Sequence, residues 1–64
     1  MTGNREVTAE QALEVWRLKR AMEQAGLQVC VHWNRCGCCI SVHEDVENPS
    51  TGFIVGADGE SELA

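Results

Sequence analysis

Six side chains in this sequence offer the sulfur or imidazole nitrogen that binds a transition metal or, for the thiols, exchanges electrons: Cys30, His32, Cys36, Cys38, Cys39 and His43. They are all the cysteines and histidines of a 64-residue chain, and all lie between positions 30 and 43. Thiolate sulfur and imidazole nitrogen are the usual ligands of zinc, which takes four of them in a tetrahedron. The same thiols can pair as disulfides, and four cysteines allow three complete pairings. Which chemistry is open depends on where the backbone points each side chain.

The stretch alternates with period two. Leu27, Val29, Val31 and Trp33 are apolar, with Gln28, Cys30 and His32 between them, which is the pattern of a half-buried strand. Cys38 to Glu44 alternates again, and Asn34-Arg35-Cys36-Gly37 reads as the turn. Closing the hairpin over those four residues sets Trp33 opposite Cys38, Val31 opposite Ile40 and Val29 opposite Val42. One face then collects the large apolar side chains, as correct register requires. On the other face His32 meets Cys39, Cys30 meets Ser41, and Gln28 meets His43. Opposed β-carbons lie about 4.5–5.5 Å apart, close enough for an imidazole and a thiolate to share one ion. The expected zinc ligands are Cys30, His32, Cys36 and Cys39, with His43 in reserve. Cys38 points to the opposite face and is expected beside Trp33 as a small core residue.

The cluster has competing readings. Zinc domains usually show two separated ligand pairs, whereas Cys36-Gly37-Cys38-Cys39 has no second pair. Buried cysteine is common without any metal, so ordinary small residues on a partly covered sheet outweigh the zinc site. Thiol oxidoreductases place Cys-x-x-Cys at a helix N-terminus in a βαβ setting, and here it enters a hairpin strand with Arg35 as its one near cation. A bridge from Cys36 to Cys30 or Cys39 needs an oxidising compartment. Adjacent Cys38 and Cys39 would bridge only under strain.

Other elements must hold this hairpin in place. Thr8 is suited to cap a helix, Gln11 to complete a capping box, and Val7 with Ala12 to form a hydrophobic staple. No glycine or proline interrupts the chain from there to Ala25, so a helix is expected over 8–25, ending at Gly26. Its apolar arc comprises Ala9, Ala12, Val15, Trp16, Leu18 and Met22, with Trp16 assigned to the core; Leu13 falls among polar residues and is expected to be partly exposed. Asn48-Pro49-Ser50 breaks the chain, and a third strand follows over 51–56. Residues 1–6 read as a flexible tail and 57–64 as an acidic tail, in which Asp58-Gly59 is a turn signal and the residues after it either fray or add to a sheet edge. The expected fold is one α+β domain in two layers: a helix packed on a three-stranded antiparallel meander, in the order α-β-β-β, with strands 27–33, 38–44 and 51–56.

Composition narrows the function classes. A net charge of −5 argues against nucleic acid and anionic lipid, which are bound through basic patches. No apolar run approaches the roughly eighteen residues of a membrane span. The first residues lack the apolar core of a signal peptide, so a cytoplasmic location with reduced thiols is expected. Glu44, Asp45 and Glu47 beside His43 read as a solvated loop. Phosphate-loop, serine-elbow and metalloprotease patterns do not occur, and a chain this short cannot wall off a large pocket and keep a core, so an enzyme is not expected.

Chains of this length often need a metal, a disulfide or a second subunit for stability. The first function expected is therefore a protein–protein interaction or regulatory module, self-associating as a homodimer through the uncovered sheet face at Gln28, Cys30, Ser41 and Ile54. The alternative is a small zinc-binding protein using the hairpin cluster, and after it a thiol redox sensor.

Overall fold

A computed structural model describes residues 6–34 and 37–63. One helix, α1 (Ala9–Gln24), packs on an antiparallel sheet of four strands: β1 (Val29–Trp33), β2 (Ile40–Glu44), β3 (Gly52–Val55) and β4 (Ser61–Leu63). The strands lie in chain order, a meander with β1 and β4 at the edges. The α+β class and the two layers are as the sequence predicts, with one strand more. The residues expected as an acidic tail turn at Asp58-Gly59 and pair with β3, Val55 against Ser61 and Phe53 against Leu63.

The helix begins and ends as its residues dictate. Thr8 caps it, accepting a hydrogen bond from the Gln11 amide at 3.0 Å. At the other end the Gly26 amide donates to the Glu23 carbonyl and the Leu27 amide to the Met22 carbonyl, both at 3.0 Å, the paired bonds of a Schellman stop.

The buried stripe of α1 differs from the arc read off the sequence. Gln11, Val15, Leu18 and Met22 face the sheet, while Ala9, Ala12 and Trp16 are exposed. Trp16 is 56% exposed and lies under the Arg20 guanidinium, 5.3 Å from the ring centre. The reason is Gln11. Its side chain does not fold back to complete a capping box but runs into the core, only 1% exposed, and its Nε2 donates to the carbonyls of Val55 at 3.1 Å and Cys38 at 3.3 Å. Those carbonyls draw a polar residue into the stripe and turn α1 toward it. Leu13 is 51% exposed, as expected.

Further ties fix the first half of the helix on the β3–β4 hairpin. The Thr8 hydroxyl donates to the Ala57 carbonyl, and the Ser61 hydroxyl to Glu14 Oε2 at 2.9 Å. Gly59 sits against the first turn at φ +85°, where an added β-carbon would come within 2.9 Å of the Glu10 side chain. The core itself is small: Met22, Ile40, Val42 and Val55, with Val15, Leu18, Leu27, Val29, Trp33 and Phe53 packed around them.

Candidate metal centre

The alternation across the hairpin leaves one sheet face under the helix and one open. Trp33 pairs with Ile40, Val31 with Val42 and Val29 with Glu44 on the helix side. On the open side His32 pairs with Ser41 and Cys30 with His43. These pairs correct the expected register by two residues. The strands are joined by six residues, 34–39, rather than four. Within this connection the Gly37 amide donates to the Asn34 carbonyl at 2.9 Å, with Gly37 at φ +77°, and the Asn34 amide closes on the Cys39 carbonyl at 2.7 Å. A two-residue shift keeps every side chain on its face and changes only whom it meets.

The consequences fall on the cysteines and histidines. Cys30, half-buried, now stands opposite His43, and His32 lies diagonally across. One ligand atom from each of Cys30, His32 and His43 lies within 4.8 Å of those of the other two, so the three side chains are close enough to hold a metal ion. The structure thus brings together two of the expected ligands with the reserve. Cys39 lies outside this trio, on the open face beside Ile54, Asp58, Glu60 and Glu62. Cys36 lies outside the described residues. Cys38 is exposed rather than buried beside Trp33, because it belongs to the connecting bend and not to the strand; its Sγ lies 3.7 Å from that of Cys39.

The two imidazoles meet edge to face, with ring centres 5.0 Å apart and planes at 76°. Their Nε2 atoms face each other at 2.9 Å. Each Nδ1 is occupied by the backbone of the next residue, His32 on the Trp33 carbonyl at 3.1 Å and His43 on the Glu44 carbonyl at 2.9 Å. A carbonyl only accepts, so each Nδ1 carries the proton and donates it. With Nδ1 donating, each Nε2 has only a lone pair to offer, and two lone pairs 2.9 Å apart need a proton or a metal ion between them. Either cation turns the repulsion of the lone pairs into attraction.

Of the remaining expected interface residues, two share the open face with Cys30. Gln28 is exposed ahead of β1, its carbonyl accepting from the Asp45 amide at 2.7 Å. Ser41 and Ile54 are paired neighbours on the open face. The acidic residues after β2 are mainly solvated, with Asp45 and Glu47 exposed.

Comparison with protein-family models, with curated proteins and with solved structures finds no match. The helix of α1 and the strands include no helix long and apolar enough to cross a membrane, among the described residues.

Proposed function

We propose that this chain is a small, non-enzymatic transition-metal-binding protein, with zinc held by Cys30, His32 and His43. One observation carries the reading: the Nε2 atoms of two histidines face each other at 2.9 Å while each Nδ1 lies against a backbone carbonyl. Metal-bound histidines are held in this way, since the outer hydrogen bond fixes the tautomer and raises the basicity of the ligating nitrogen. Two nitrogens about 2.05 Å from a tetrahedral zinc ion sit about 3.3 Å apart, so binding asks for an opening of only about 0.4 Å. One thiolate with two imidazoles also suits the borderline softness of zinc better than that of calcium or magnesium, which take oxygen.

Elemental analysis of protein purified without chelator is expected to give one zinc per chain, lost in Cys30→Ser and in His43→Ala. A metal-free protein that takes up no zinc on titration would leave a shared proton between the rings as the account of their approach.

The expectation of a self-associating module keeps one supporting observation. The face carrying Cys30, His32, Ser41 and Ile54 is opposite the helix, and no described element crosses it. A homodimer joined there would give twice the mass of the chain by light scattering; a monomer at micromolar concentration, with and without zinc, would remove that reading.

A further inference from the structure

We propose that the fourth coordination position of this centre takes an external ligand, a monoanionic donor on a small apolar body, seated in the cavity beside the two histidines. The inference rests on the metal-binding reading above and adds what the bound ion would be for. Among the described residues the cluster supplies three ligands. Structural zinc sites close with four protein ligands, whereas a site with three keeps a position for water or an incoming molecule.

A cavity of about 280 Å³ opens on the uncovered face, lined by His32 and His43 and continuing over Ser41, Pro49, Phe53 and Ile54. It lies at or just below the roughly 300 Å³ at which drug-sized pockets begin, so it admits a body of a few carbon atoms. Beyond the histidines, Pro49 and Ile54 give it an apolar wall, and Ser41, the cross-strand partner of His32, adds a hydroxyl.

Charge selects the donor. A divalent ion with one thiolate and two neutral imidazoles carries one net positive charge, which a single anionic donor neutralises. The chain around it carries a net −5, so a polyanion such as a nucleotide meets repulsion on approach. A short thiolate or carboxylate on an alkyl stem meets both conditions.

The test loads the full chain with cobalt(II), whose visible spectrum reports tetrahedral coordination, and titrates it with ethanethiol, propanethiol and butanethiol. The spectrum is expected to shift at saturation, with affinity rising roughly three- to fourfold for each added methylene as the stem covers the apolar wall. Ile54→Ser is expected to flatten that dependence on stem length while leaving the thiol-free cobalt spectrum as in the parent. A tetrahedral cobalt spectrum that the thiols leave unchanged overturns the inference and spares the metal site, since the fourth ligand then comes from the chain. Thiols that bind without dependence on stem length, or that strip the cobalt, overturn it equally. Failure of the parent to bind cobalt overturns both readings.

Discussion

A backbone carbonyl can accept a hydrogen bond but never donate one, and this single fact orients the chemistry of His32 and His43. With each Nδ1 against the carbonyl of Trp33 or Glu44, the two rings meet through Nε2, the nitrogen left to ligate. Removing either ring should therefore remove a ligand and not merely a neighbour. His32→Ala and His43→Ala are each expected to weaken zinc binding by more than about tenfold, the smallest loss usual even for residues that only support a ligand. Cys39→Ser should leave the affinity as it is. Competition against a chromophoric chelator measures all three, and a large loss on Cys39→Ser would move the site toward the hairpin turn. Gln11 is the other residue whose environment dictates a result. Gln11→Leu keeps the volume but removes the Nε2 donor from the Val55 and Cys38 carbonyls, at a cost of about 1–3 kcal/mol in denaturant unfolding. An unchanged midpoint would mean that water replaces the amide.

At the scale of elements, parity was legible in the sequence and register was not. Alternation alone assigns Val29, Val31 and Trp33 to one face and Cys30 and His32 to the other, and the folded hairpin keeps that division. The partner of each residue depends instead on how many residues the connection consumes. Six are consumed because Cys38 and Cys39 extend the bend, although their alternation with Ile40 reads as strand. That is why His43, rather than Cys39, completes the trio. Trp16 is exposed where the sequence predicts core for a related reason: a wheel of apolar residues has no place for a buried glutamine, and Gln11 occupies the stripe. The tail became β4 through its turn. Gly59 holds φ +85° with the Glu10 backbone 3.0 Å from where a β-carbon would stand. Gly59→Ala is expected to cost about 1–3 kcal/mol from the backbone conformation alone. Each kcal/mol corresponds to about 4–8 °C in the melting temperature of a domain of this size. A variant that melts with the parent would show that the β3–β4 hairpin does not need its contact with α1.

For the whole molecule the question is what compensates a core of only four buried apolar side chains among the described residues, Met22, Ile40, Val42 and Val55. A ligand that binds the folded chain and not the unfolded one adds stability in proportion to the logarithm of its concentration over Kd. Zinc at a hundredfold excess over Kd is expected to add about 2.7 kcal/mol, and a chelator to return the melting temperature to the metal-free value. Thermal scans at several zinc concentrations check this, and a melting temperature indifferent to zinc would separate the site from the stability of the fold.

The most direct measurement is X-ray absorption at the zinc edge of the loaded protein, without added thiol. The trio predicts one sulfur at about 2.3 Å and two imidazole nitrogens at about 2.0–2.1 Å, with one further light atom completing the shell. A shell with two or more sulfurs, or with none, would contradict it.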